Sequence, residues 1–219
     1  MSGEAAKPSR QKLQLPRLYP ILDVSCFASY PDSTKVLLDF AVEIHCGGVN
    51  WLQYRNKSGS SRQMLSHARE LRRVLGPEVT LIMNDRADLA LAAGLDGIHV
   101  GQDDLPVDAV RRIVGPNVII GTSTHNPDQL RLADQTDADY LAIGPVFATS
   151  SKANPDPVVG LEGVRLARAL TVKPLVAIGG VTRANCRSVL DAGADSVAVI
   201  SDLVNNPRQA AEEFLRILL

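Results

Sequence analysis

Little in this sequence points to a membrane, a nucleic acid or an oxidising compartment. No uninterrupted apolar run approaches the roughly 18 residues of a membrane span, so the chain is expected to be soluble. Lys and Arg number 23 against 24 Asp and Glu, a formal net charge of -1. That balance excludes the broadly basic surface that nucleic-acid or anionic-membrane binding favours, and any anion site must be local. Cysteine is scarce, and Cys26, Cys46 and Cys186 lie far apart. They match neither a disulfide framework nor a zinc spacing, and a reducing cytoplasm suits them best. The opening MSGEAAKPSRQKLQLPR lacks the apolar segment of a secretory signal, and Glu4 with the shortage of serine counts against an organelle-targeting segment. Residues 1–17 read as a disordered tail ahead of one domain, residues 18–219, whose length suits a single large core.

What is present is a repeated alternation. Short apolar or β-branched runs predict strands at Leu18–Asp23, Asn50–Arg55, Thr80–Asn84, Gly97–Val100, Val118–Gly121, Tyr140–Gly144, Leu175–Ile178 and Ser196–Ile200. Helical periodicity fills the intervals at Ser33–Cys46, Ser61–Leu75, Arg86–Ala93, Val107–Val114, Pro127–Gln135, Leu161–Leu170, Arg183–Ala192 and Pro207–Leu218. The strands are too apolar for a half-solvated sheet, and a crossover separates each from the next. Both features imply parallel pairing buried on two faces. Eight such units predict an α/β fold, a single (β/α)8 TIM barrel. The other fold with this alternation is an open doubly wound sheet, but neither G-x-G-x-x-G after the first strand nor G-x-x-x-x-G-K-[ST] is found. Ala93-Gly94 and Ala192-Gly193 read as helix ends that use a positive φ.

In a barrel the site lies at the carboxyl ends of the strands, and four polar clusters fall there. Period-two alternation puts Gln53, Arg55 and Lys57 on one face, behind Trp51 and Leu52. Two inward cations call for an anion, although a solvated strand end is the bland alternative. Asn84-Asp85 and Gln102-Asp103-Asp104 place carboxylates at neighbouring strand ends. Carboxylates opposite Arg and Lys suit a magnesium diphosphate, with hard oxygens for the metal and cations for the remaining charge. Asp85 could instead cap the helix near Arg86, and Asp103 or Asp104 the one near Pro106. The fourth cluster, Gly179-Gly180 with Ile200-Ser201-Asp202, resembles a backbone phosphate cradle after strands seven and eight, or else a tight turn. The loop from Gly144 to Lys152 adds hydroxyls and a cation, as a lid over an anion would. Two anion sites imply two phosphorylated substrates. No nucleophilic Cys or Ser-His-Asp set is evident, which favours direct displacement. His45, His67 and His99 are scattered and read as structural.

The ordered motifs QYRNK, MNDRADLALAAGLDGIHVGQDDLP, GTSTH, GPVFATSSK, AIGGV and AVIS, spread from Leu18 to the end of the chain, resemble the thiamine-phosphate synthase family. The resemblance implies a (β/α)8 barrel that couples a hydroxymethylpyrimidine diphosphate to a thiazole phosphate, giving thiamine monophosphate and pyrophosphate. It implies that Gln53, Arg55, Lys57 and Asn84 hold the pyrimidine diphosphate. Asp85 and Asp104 would be Mg2+ ligands, and Ser123 and Lys152 further pyrophosphate contacts. Thr149, Ser151, Gly180, Ile200 and Ser201 would bind the thiazole phosphate. Arg55, Lys57, Ser123 and Lys152 are the implied catalytic set. Ser151 stands where the family more often has Thr, and the hydroxyl is kept. Related thiazole tautomerases share the barrel and use a His, so His125 in GTSTH is noted. A non-catalytic phosphate-binding barrel and a phosphosugar barrel using a strand-core Lys are further readings, and no Lys lies in a predicted strand core. The implied partners are small-molecule substrates, with no nucleic acid and no membrane; a homo-oligomer is compatible with the sequence.

Overall fold

The structure, a computed structural model, describes residues 13–149 and 156–219. Eight strands, β1 (Leu18–Asp23), β2 (Trp51–Arg55), β3 (Thr80–Asn84), β4 (Gly97–Val100), β5 (Ile119–Thr124), β6 (Tyr140–Ile143), β7 (Leu175–Ile178) and β8 (Ser196–Val199), close into a barrel in chain order. Every neighbouring pair is parallel, including β1 with β8. The helices α1 (Ser33–Cys46), α2 (Ser61–Leu75), α3 (Ala87–Ala93), α4 (Val107–Val114), α5 (Pro127–Asp134), α6 (Gly160–Leu170), α7 (Cys186–Asp191) and α8 (Pro207–Leu218) alternate with them. Closure excludes the open doubly wound sheet, which would leave two unpaired edges. The expected (β/α)8 barrel is the fold.

Alternation along each strand divides the chain into two cores. Leu18, Leu22, Leu52, Leu81, Ile98 and Leu141 point outward and pack under the helices. Their neighbours Tyr19, Ile21, Trp51, Ile82, Tyr140, Ala142, Val176 and Ala198 point inward and fill the lumen. Tyr19, Trp51 and Tyr140 meet edge-on there, with centroids 5.7, 6.0 and 6.4 Å apart. Each such contact contributes about 0.5–1.5 kcal/mol beyond area burial. The lumen is therefore a packed floor under whatever lies at the strand ends. Leu13 and Leu15 also pack against this inner cluster, so residues 13–17, expected within a disordered tail, meet the barrel. The rest of that tail lies outside the described residues.

The amino-terminal end of the barrel carries one device three times. Arg72 of α2, Arg111 of α4 and Arg168 of α6 pair with Asp96, Asp139 and Asp195, the residues just before β4, β6 and β8. Each carboxylate also accepts the backbone N–H that opens or follows the start of the preceding strand, at Leu81, Ile120 and Leu175. Each guanidinium donates to loop carbonyls after its own helix. One staple thus ties a helix, its following loop and two strands.

Three helix starts, those of α1, α2 and α5, have side-chain caps. Asp32 accepts from Lys35 N, Ser60 from Gln63 N and Asn126 from Gln129 N. Gly94 closes α3 in the left-handed region at φ 64°, as expected for Ala93-Gly94. Two boundaries differ from expectation by three residues, and the others by one at most. β5 runs on to Thr124 because Thr122, Ser123 and Thr124 continue the ladder with Leu141, Ala142 and Ile143. α7 starts only at Cys186, because the Asn185 side chain accepts from Thr182 N and holds the preceding residues in a turn.

Candidate active site

Inward positions at the carboxyl ends of the strands carry polar groups in place of the apolar floor. A cavity of about 410 Å³ opens there, lined among others by Gln53, Arg55, Lys57, Asn84, Asp85 and Asp104. Ser123, Thr149, Gly180, Ile200 and Ser201 face the same space. The eleven expected site residues within the described chain thus converge on one mouth, although they come from seven separate strand ends. Ser151 and Lys152 lie outside the described residues.

Arg55 is held by Asp23, a buried carboxylate at the end of β1 that pairs in register with Arg55 on β2. Ser25 donates to the same carboxylate through its N–H at 3.0 Å and its hydroxyl at 2.7 Å. The guanidinium is therefore fixed from behind. Lys57 sits on a turn organised by Asn56, whose carbonyl accepts from Ser58 N at 3.2 Å and Gly59 N at 2.8 Å. The Asn56 amide donates to the Tyr54 hydroxyl, which meets His67 Nδ1 at 2.9 Å. His67 is accordingly structural, as expected, and His45 bonds the Val49 carbonyl.

Lys57 forms an ion pair with Asp85. Asp85 has φ 62°, a left-handed conformation uncommon outside glycine. It does not cap α3, whose start has no side-chain cap; the left-handed turn aims the carboxylate at the cavity. Asp104 does not cap α4 either, because its Oδ2 accepts from Gly101 N at 2.7 Å and folds back toward Asp85. Burial raises the Asp85 pKa, and the neighbouring Asp104 carboxylate raises it further against the pull of Lys57. The pair holds more negative charge than one lysine offsets. Beside it the Asn84 Nδ2 is buried with no hydrogen-bond partner among the described residues. Among those residues no group of three or more His, Cys, Asp or Glu side chains is arranged around a metal position.

On the far side, Gly179 and Gly180 have φ of 101° and 64°. A Cβ on Gly180 would strike the Ala148 carbonyl and Phe147, and one on Gly179 would strike Pro145. Both the positive φ and the close approach of the β6–α6 loop therefore require glycine. Val146 N and Phe147 N donate to the carbonyls of Ile178 and Gly179 at 2.8 and 2.9 Å. After β8, Ser201 begins a short 3-10 turn to Leu203.

One group expected to be structural also borders the site. His99, expected to be structural, lines the cavity, with Nδ1 2.9 Å from the Tyr140 hydroxyl and Nε2 2.8 Å from the Ser123 hydroxyl. Burial lowers its pKa to about 4, only partly opposed by Asp104, so the ring is neutral at pH 7. Scattered sequence positions hid it; its place two residues before Gly101 on an inward-facing register was the available signal. Tyr19, Tyr140 and Asp23 were missed for the same reason. His125 also reaches the cavity, but its Nδ1 contacts the Gly144 carbonyl at 2.6 Å and its Nε2 lies 3.5 Å from Asp156.

A closed parallel barrel with cations, carboxylates and a glycine turn gathered at its carboxyl mouth defines a (β/α)8 barrel enzyme. The family model described as thiamine monophosphate synthase matches residues 19–203. A thiamine-phosphate synthase of Koribacter versatilis is 66% identical over 206 residues, covering 94% of this chain and 97% of that one. Another from Chloroflexus aurantiacus is 43% identical, covering 86% and 85%. A solved thiamine phosphate pyrophosphorylase from Pyrococcus furiosus superposes with a TM-score of 0.80 at 33% identity, over 92% of this chain and 95% of that one. The chain belongs to the thiamine monophosphate synthase family, and is a transferase of thiamine biosynthesis.

Proposed function

We propose that the barrel joins 4-amino-2-methyl-5-hydroxymethylpyrimidine diphosphate to thiazole phosphate, releasing pyrophosphate and forming thiamine monophosphate. The observation that carries this reading is the facing of Arg55 and Lys57 with the Asp85 and Asp104 carboxylates at one end of a cavity whose other end is the Gly179-Gly180 turn. The first end suits a diphosphate with a cation, the second a monophosphate.

Two carboxylates with a surplus of negative charge fit Mg2+, which commonly takes one or two carboxylates and completes its shell with substrate phosphate and water. Bound there by Asp85 and Asp104, Mg2+ would supply Lewis-acid stabilisation of charge on the diphosphate. The protein groups do the rest. Arg55, oriented by Asp23, and Lys57 offset charge on the departing oxygen, and the unpartnered Asn84 amide donates to the same group. Ser123 adds a hydroxyl, with Lys152 assigned alongside it. As the methylene C–O bond breaks, its electron pair leaves on pyrophosphate; the thiazole nitrogen lone pair then forms the new C–N bond. Thr149, Ser151, Gly180, Ile200 and Ser201 would hold the thiazole phosphate so that its nitrogen faces the methylene carbon. Preorganised charge around the leaving group is the main catalytic device.

The test is thiamine monophosphate formation from the two substrates with Mg2+ and with EDTA, beside a thiazole tautomerase assay. Mg2+-dependent product is expected, with Asp85→Asn lowering kcat by about 10²-fold or more in a folded protein. Tautomerisation without coupling would replace the reading with the sister activity.

A further inference from the structure

We propose that Gln53, Tyr19, Tyr140, His99 and Ser123 form one directional hydrogen-bond relay across the lumen, which fixes Gln53 as an acceptor and Ser123 as a donor toward substrate. The proposal deepens the coupling reaction above and rests on that reading for the identity of the substrate. Gln53 Nε2 donates to the Tyr19 hydroxyl at 2.9 Å, and the Tyr19 and Tyr140 hydroxyls lie 2.8 Å apart. Tyr140 then meets His99 Nδ1 at 2.9 Å, and His99 Nε2 meets Ser123 Oγ at 2.8 Å. The five side chains come from β2, β1, β6, β4 and β5, so the chain of bonds spans most of the barrel.

Direction follows from proton counting. Each neutral phenol and the neutral imidazole has one proton to give, so every internal member that accepts on one side donates on the other. With the Gln53 amide donating, Tyr19 gives its proton to Tyr140 and Tyr140 gives its own to His99 Nδ1. His99 is then the Nε2–H tautomer and donates to Ser123 Oγ. The Ser123 proton is left for the cavity, and so is the Gln53 carbonyl oxygen. The Trp51 indole, a pure donor, approaches the Tyr19 oxygen without completing a hydrogen bond; donors crowding that oxygen favour Tyr19 giving its proton onward. Run the other way, the relay would present the Gln53 NH2 and would tie the Ser123 proton to His99.

The chosen direction suits both ends of one ligand. An exocyclic amine on a pyrimidine needs an acceptor, and an anionic phosphate oxygen needs a donor. Tyr19, Tyr140 and His99 are thus positioning residues that tie the two recognition events together. Space is reserved for the central member: a Cβ on Gly121, which pairs with Tyr140 in register, would overlap the Tyr140 ring. The His99 ring stacks on Tyr140 with centroids 5.5 Å apart, which fixes its rotation.

The experiment is imidazole 15N NMR of the full chain without substrate, with His99 assigned by its loss in His99→Asn, together with steady-state kinetics. The expected spectrum has a pyridine-type Nδ1 and a pyrrole-type Nε2 for His99. Tyr140→Phe should erase that tautomer preference and lower kcat/KM for the pyrimidine diphosphate about tenfold or more. Tyr19→Phe cuts the relay one step earlier and removes the donor that sets the direction of Tyr140, so it should weaken the tautomer preference and raise KM more than it lowers kcat. A protonated Nδ1 in the parent overturns the direction, and kcat/KM within twofold of the parent in both phenylalanine variants overturns the coupling between ends. A parent with the expected tautomer but no coupling activity would refute the proposed reaction while upholding the relay.

Discussion

Asp85 concentrates three costs in one residue: a left-handed backbone, partial burial and the Asp104 carboxylate beside it. Strain of this kind persists where the surrounding structure enforces it and a function uses it. The electrostatic part has a testable sign. The folded-state pKa of Asp85 is raised, so its contribution to stability is present below the unfolded value near 3.9 and is lost as pH rises through the raised one. At pH 7 without divalent cation the ionised pair is a net cost. Asp104→Asn keeps an acceptor for Gly101 N and removes the like charge. In EDTA at pH 7 it should raise stability by about 0.5–1 kcal/mol, after allowing for solvent screening at the open mouth, while coupling falls. Urea denaturation at pH 7 and below pH 4 checks this; the gain should shrink in acid, and a less stable variant at pH 7 would count against the repulsion. The charged members of this site were legible because Arg, Lys and Asp at strand ends have few other uses. Tyr19 and Tyr140 were not, because a tyrosine in an apolar run reads as core until closure shows which side chains meet in the lumen.

Among elements, the three Arg–Asp staples do the work of registration at the amino-terminal face, away from the cavity. Their burial differs: Arg111 and Asp139 are 11% and 16% exposed, Arg168 and Asp195 29% and 46%. Breaking a buried pair strands a charge and, here, the Ile120 N–H as well. Asp139→Ala should therefore cost about 3 kcal/mol, and Asp195→Ala about 1–2 kcal/mol. Both should leave kcat within twofold at 25 °C, because neither side chain lines the cavity. Chemical denaturation of the two variants tests the order, and equal losses would show that exposure does not set the cost. Strand and helix limits were legible almost to the residue, since LDGIHV, ADYLAI and ADSVAV each join a turn to an apolar run. The exceptions had side-chain causes. The hydroxyls of Thr122, Ser123 and Thr124 disguised the end of β5, and the Asn185 turn delayed α7. The staple itself was invisible, because its partners lie 24, 28 and 27 residues apart.

At the scale of the molecule, barrel closure puts an apolar floor beneath a polar mouth, and two imidazoles are buried neutral, His99 at the cavity and His67 between α2 and β2. Burial lowers the pKa of His67, and that of His99 to about 4. A histidine with a depressed folded-state pKa contributes stability that is present above its unfolded value near 6.5 and is lost as pH falls through the folded one. Both residues act in the same direction. Asp104, the charged group that faces His99, already opposes the shift, and Tyr140 and Ser123 are its uncharged neighbours. His99 alone should therefore remove on the order of 3 kcal/mol between about pH 6.5 and pH 4, with His67 adding to it. Carboxylates with depressed values, such as Asp88 and Glu213, lose their contribution only at lower pH, so the two ranges separate. Urea unfolding at pH 7 and pH 4.5 should show the loss in the parent and a flatter profile in His99→Asn, whose side chain cannot take up the proton. Asp85, with its raised pKa, works in the opposite sense, so the comparison with His99→Asn isolates the ring. A parent that loses no more than that variant would mean that the protonated ring is accommodated in the lumen, and the neutral relay through Tyr140 and Ser123 would then be only one of the states the barrel holds.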